Sequence, residues 1–147
     1  MDIKYLLQLM ADKKASDLFL TTDARVHIRV DGKVMPIGTS LMSAEKMEQV
    51  FANLLDKESR AQFNDNHEIN MAHEEAGVGR FRINGFRQKG RLGMVIRSIS
   101  SSIPTLASLN LPPILASVVM APRGLVLVVG STGSGKSTAL ASMIDQR

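Results

Sequence analysis

The 147-residue chain contains no cysteine and no tryptophan, and aromatic residues make up only 4% of it. The absence of cysteine excludes disulfide frameworks and thiolate-ligated metal centres. With so few rings, the apolar interior has to be filled by aliphatic side chains and by nine methionines, whose flexible thioethers suit irregular gaps. The three histidines, His27, His67 and His73, show no metal-ligand spacing and read as surface or packing residues. Long apolar runs are missing as well. The opening "MDIKYLLQLMADKK" interrupts its short hydrophobic stretch with charges, so neither a secretory leader nor a membrane span is expected there, and the sequence is of cytoplasmic type. Acidic residues are scarce in one half only. Residues 1–75 carry nine Lys/Arg and thirteen Asp/Glu, whereas residues 76–147 carry nine and one, Asp145. A half so basic suits a polyanionic ligand, and nucleotide phosphate, nucleic acid and anionic lipid all qualify on charge alone.

What is present is globular: 44% hydrophobic and 22% charged residues, enough for a packed core. Ile3, Leu6, Leu7 and Met10 fall at helical spacing and predict an amphipathic first helix. "SDLFLT", "RVHIRV" and "KVMPI" read as strands, the last two joined at Asp31–Gly32, a pair suited to a type I′ hairpin turn. Ser43 is the expected N-cap of a helix with Glu45 in its first turn, and that helix carries Met47, Val50, Phe51, Leu54 and Leu55 on one face. A short helix is expected through "KESRAQF", then strands at "EINMA", "RFRINGF" and "LGMVIRSI". "SSSIPTLASLNLPP" reads as a linker with a short helix capped by Thr105, followed by a helix at "ILASVVM". The reading is therefore an α+β domain over 1–99, a linker over 100–121, and the opening of an α/β core over 122–147.

Gly130, Ser131, Thr132, Gly133, Ser134, Gly135, Lys136 and Ser137 match G-x-x-x-x-G-K-[ST] in full. Glycines let such a loop curl so that successive N–H groups face one anion, and a following helix adds its N-terminal dipole. On this reading Lys136 reaches the β- and γ-phosphates of ATP and the Ser137 hydroxyl coordinates Mg²⁺. The context fits: "LVLVV" at 125–129 predicts a strand buried on both faces of a parallel sheet, and "STALASMI" a helix with Leu140, Met143 and Ile144 directed at that sheet. Hydrolysis further requires an acidic Mg²⁺ partner and a residue that orients water. The one carboxylate after Glu75 is Asp145, so those groups are expected beyond Arg147.

Arg80, Arg82, Arg87, Lys89, Arg91 and Arg97 lie between Gly79 and Arg97 with no acidic residue among them. Strand alternation puts Arg80, Arg82, Asn84 and Phe86 on one face of "RFRINGF", and groups Val95, Arg97 and Ile99 on the next strand. Such a face could be a solvated surface, a set of arginine fingers for a γ-phosphate, or a nucleic-acid groove. The last is disfavoured because only Phe81 and Phe86 are available for base stacking.

Taken together and in order, "ASDLFL", "IRVDGKV", "GVGRFRINGF", "GMVIRSI" and "PRGLVLVVGSTGSGKST" resemble the type IV pilus retraction ATPases, the PilT/PilU branch of the secretion ATPase superfamily. Phe19 stands where PilT-like proteins usually carry a histidine, and "NHEINMA" and "GMVIRSI" look more like PilU. The resemblance implies a PAS-like N-terminal domain, a linker and a RecA-like ATPase core assembled as a hexameric ring. It implies ATP bound between the domains, with hydrolysis driving pilus depolymerisation at the inner face of the cytoplasmic membrane. It also implies as partners a PilT-type ATPase and the inner-membrane pilus platform protein, with no nucleic acid. Arg82 and Arg97 match the family's arginine fingers, Arg91 is a weaker match, and Gly130 to Thr138 match the Walker A segment. The family's acidic box, Walker B segment and histidine box follow the Walker A helix and are not found in this chain, so its core is expected to be truncated, with the last strand and helix poorly ordered or set against the first domain. Two other readings stay open: a non-catalytic PAS-like interaction module, and another kind of P-loop NTPase.

Overall fold

The structure, a computed structural model, describes residues 2–100, 102–131 and 134–147. Thr132 and Gly133 of the glycine-rich loop lie outside the described residues. The chain divides into two compact units, Met1–Ser100 and Ser101–Arg147.

In the first unit the elements run α1 (Ile3–Asp12), β1 (Asp17–Thr21), β2 (Arg25–Val30), β3 (Lys33–Leu41), α2 (Ala44–Ala52), α3 (Lys57–Asn66), β4 (Glu68–Glu75), β5 (Gly79–Gln88) and β6 (Arg91–Ile99). Each helix starts where its side chains dictate. Asp2, Ser43 and Asp56 take the N-cap positions and accept from the backbone N–H of Lys4, Lys46 and Ser59. Between β2 and β3, Asp31 and Gly32 both adopt positive φ, 49° and 77°, the turn that matches the twist of a hairpin. The strands form one sheet in the order β3-β2-β1-β6-β5-β4, every pairing antiparallel. The α+β class expected for this part of the chain is thus realised as a six-stranded antiparallel sheet.

Alternation along the strands makes that sheet one-sided. Leu18, Leu20, Ile28, Ile83, Met94 and Ile96 are buried in one cluster with Leu6, Leu7 and Met10 of α1, Met47 and Phe51 of α2, and Phe63 of α3. Their strand neighbours Arg80, Arg82 and Arg97 face out and are exposed. Gly85 shows how closely helix and sheet approach: a Cβ there would run into the Phe51 ring. Gly85→Ala is therefore expected to destabilise the unit by about 1–3 kcal/mol through overpacking. The check is a lower urea midpoint with an unchanged denaturant slope.

In the second unit, α4 spans Ile114–Val119 and α5 spans Lys136–Gln146. Thr105 Oγ1 accepts from the N–H of Ser108 at 3.2 Å, as a cap would, but residues 106–110 form a turn rather than the expected helix. The larger departure is at 125–129. The run expected as a doubly buried strand is in no strand and pairs with none among the described residues, and Leu125, Leu127 and Val129 are exposed. The reason is topological: such a strand is ordered by parallel neighbours on its ladder, and the only sheet among the described residues is the antiparallel one in the first unit. Of the three apolar residues expected to cover it, Met143 is buried while Leu140 and Ile144 are exposed. No helix among the described residues is long and apolar enough to cross a membrane.

Candidate functional site

The outward face of the sheet carries a row of ionic residues set by strand register. Arg82 of β5 stands directly opposite Arg97 of β6, Arg97 opposite Asp17 of β1, and Asp17 opposite Arg29 of β2. Two like charges opposed on neighbouring strands repel, and the arrangement is unfavourable unless an anion sits nearby. One anion belongs to the protein. The Asp17 carboxylate is buried at 3% exposure and accepts from Arg97 Nε at 2.9 Å through Oδ1, and from Arg29 Nη1 at 3.1 Å and Ser16 Oγ at 2.9 Å through Oδ2. The Arg29 guanidinium also lies over the Phe19 ring, 5.1 Å from its centroid. The Arg82 side chain makes no hydrogen bond or ion pair among the described residues. Asn70, Arg82, Asn84, Val95 and Arg97 line an open depression of about 380 Å³.

Burial alone would raise the pKa of Asp17. The bonds from Arg97 and Ser16 and the charges of Arg97 and Arg29 outweigh it and hold the carboxyl below its ordinary value. A carboxyl whose folded-state pKa is lowered contributes stability that is complete above its unfolded pKa, about 3.9, and is lost as pH falls through the lower folded value. Thermal melts across an acid series should show the N-terminal unit weakening in that window, and Asp17→Asn should flatten this acid dependence.

The other basic residues of these strands are dispersed. Arg87 pairs with Glu48 at 2.8 Å and lies over Phe63, on the helix side of the sheet. Arg91 pairs with Asp23 at 2.9 Å and stands opposite Gln88 at the turn of the β5–β6 hairpin, six register positions from the Arg82–Arg97 pair. At about 3.3 Å per residue that is roughly 20 Å, so Arg91 does not join the other two candidates.

In the second unit, the described part of the glycine-rich loop leads directly into α5. Gly135 takes φ 88°, a left-handed conformation that a side chain would strain, and Lys136 opens the helix. The Lys136 ammonium is turned onto the loop's own backbone, donating to Ser131 O at 2.6 Å, and Ser134 N donates to the same oxygen at 3.2 Å. The ammonium is thus held at the loop by a neutral acceptor that a phosphate oxygen would outcompete. Ser137 and Thr138 are exposed in the first turn of α5. A cavity of about 600 Å³ adjoins the loop, lined by Gly130, Ser131, Lys136 and Thr138 together with Leu109 and Leu111. Among the described residues no cluster of three or more His, Asp or Glu could hold a metal ion. The sequence reading missed Asp17, Arg29, Leu109 and Leu111. Asp17 had one visible signal, an acidic residue opening a strand whose neighbours are basic.

The comparison with known proteins decides the family. The model of the family described as "Type II/IV secretion system protein" matches residues 1–146. The chain belongs to that family. Within it the relatives are of the PilT/PilU branch. The chain is 43% identical to the type IV pilus ATPase PilU of Pseudomonas aeruginosa over 147 residues, 100% of this chain and 38% of that protein. It is 39% identical to the type IV pilus retraction ATPase PilT of the same organism, over 99% of this chain and 42% of that one. Among solved structures, the pilus retraction motor PilT with bound ADP superposes with a TM-score of 0.86 at 32% identity, covering 99% of this chain and 43% of that one. The family member described here thus spans about two fifths of the length of these relatives.

Proposed function

We propose that this chain is the N-terminal portion of an ATP-hydrolysing motor that powers type IV pilus retraction, the motion behind twitching. The observation that carries the reading is the loop from Gly130 into α5, with Lys136 and the exposed Ser137 and Thr138 beside a cavity, in a chain related over its whole length to PilU and PilT. Gly130 to Thr138 form the Walker A segment and hold the phosphates of ATP. Ser137 would hold Mg²⁺ together with the phosphates, and the ion would supply neutralisation of their negative charge. Residues 1–99 act as the PAS-like domain, 100–121 as linker and 122–147 as the start of a RecA-like core. The catalytic groups downstream of the Walker A helix come from the rest of the protein.

Arg82 and Arg97 serve as the arginine fingers that meet the γ-phosphoryl group as charge develops on it. Their direct opposition on β5 and β6 supports this, because an anion between them relieves a repulsion built into the register. Arg91, tied to Asp23 at the hairpin turn, is the weaker candidate. The motor works as a six-membered ring on the cytoplasmic side of the inner membrane, against the pilus platform protein. The higher identity to PilU favours a PilU-like member that supports a PilT-type partner. Phosphate release from ATP by the full-length protein, with Mg²⁺ and with chelator, tests the enzymatic part. Mg²⁺-dependent release is expected, and its absence from a folded preparation would contradict it.

A further inference from the structure

We infer that Asp17 is a positioning residue that holds the Arg97 guanidinium ready, and that Arg82 and Arg97 consequently have different duties. The inference rests on the reading of Arg97 as a phosphate-facing residue. A long side chain that is 65% exposed on a strand would ordinarily sample several rotamers. Here the Asp17 carboxylate, itself 3% exposed, accepts from Arg97 through Nε at 2.9 Å. Because the guanidinium is planar, fixing Nε fixes the plane of the group and leaves the two terminal amino groups to make a paired contact with another oxyanion.

The carboxylate is in turn immobilised. Its second oxygen is bonded by Arg29 and Ser16, and Arg29 is seated on Phe19. The strand register places Asp17 opposite Arg97 on one side and Arg29 on the other, so the chain Phe19–Arg29–Asp17–Arg97 is built across three adjacent strands. Arg82, on the same face, has no comparable partner among the described residues. Arg97 is therefore preorganised, and Arg82 is free to close on the anion once it is bound.

The experiment compares wild type, Asp17→Asn, Arg97→Ala and the double variant in the full-length protein, measuring kcat and KM for ATP and the Kd for ADP. Misplacing a catalytic contact by about an ångström costs on the order of 100-fold. Asp17→Asn is therefore expected to lower kcat by about 10- to 100-fold, with KM and ADP affinity held within about twofold. The double variant is expected to be no slower than Arg97→Ala alone, because the carboxylate acts through that arginine. If Asp17→Asn keeps the full kcat while Arg97→Ala is slow, the positioning role is overturned and the finger stands. Losses that multiply in the double variant also overturn it, since Asp17 would then act elsewhere. A wild-type kcat in Arg97→Ala overturns the reading beneath it. If Asp17→Asn loses its far-ultraviolet dichroism, Arg97→Lys decides the matter. Its single ammonium cannot both bond Asp17 and offer a fork, so kcat should fall to the Arg97→Ala level, and a wild-type kcat overturns the inference.

Discussion

Replacing Arg97 by alanine in the full-length protein is expected to slow ATP hydrolysis about 1000-fold while leaving ADP affinity within about twofold, the signature of a contact made chiefly in the transition state. The asymmetry follows from where charge appears. ADP lacks the group that Arg97 would meet, so removing the guanidinium leaves product binding intact. In the reaction, charge spreads over the equatorial oxygens of the transferred phosphoryl group, and a preorganised cation there acts without reorganisation. The substitution also strips Asp17 of one of its three hydrogen-bonding partners, leaving Arg29 and Ser16. A modest fall in melting temperature should accompany the kinetic loss. That fall is separable, because rates are measured well below the transition. Equal losses in hydrolysis and ADP binding would mean that Arg97 shapes the ground-state site instead.

Lys136→Ala is expected to weaken MgATP binding by about 100-fold or more, since charge-assisted contacts to phosphate are worth about 1.5–3 kcal/mol each and on the proposed function the ammonium would serve two phosphates. In the structure this ammonium donates to the Ser131 carbonyl, 2.6 Å away within the same loop. Binding would exchange that neutral acceptor for anionic ones, so the loss falls on the nucleotide and little of it on the fold. Isothermal titration of the full-length variant with MgATP checks this, and wild-type affinity would reduce the loop to a structural turn.

The sequence made the first unit legible because local and global signals agree there. The helical spacing of Ile3, Leu6, Leu7 and Met10, the Ser43 cap, the Asp31–Gly32 turn and the alternation in "RFRINGF" each specify an element, and α1, α2 and β5 bury apolar residues where their patterns place them. The exceptions are β3, where Val34 and Met35 are exposed, and α2, which ends at Ala52 before Leu54 and Leu55. The second unit was less legible. "LVLVV" has the composition of a buried strand, but composition states a preference for neighbours without supplying them, and the described residues hold no ladder for it. At the candidate site, alternation put Arg82 on the outward face, and the glycine-rich motif put Lys136 at the head of a helix. Neither could announce Asp17. Its role depends on β1 lying between β2 and β6, a pairing that joins residues 80 positions apart and that no local pattern encodes.

On the proposed function, Arg82 and Arg97 would recognise the phosphoryl group of a bound nucleotide. Affinity of the full-length protein for ADP with and without aluminium fluoride, a mimic of the phosphoryl group in transit, tests it most directly. The wild type is expected to bind the fluoride complex about 100-fold more tightly than ADP, and the Arg82→Ala/Arg97→Ala double variant to bind the two alike. A double variant that keeps the full fluoride-dependent gain would contradict it.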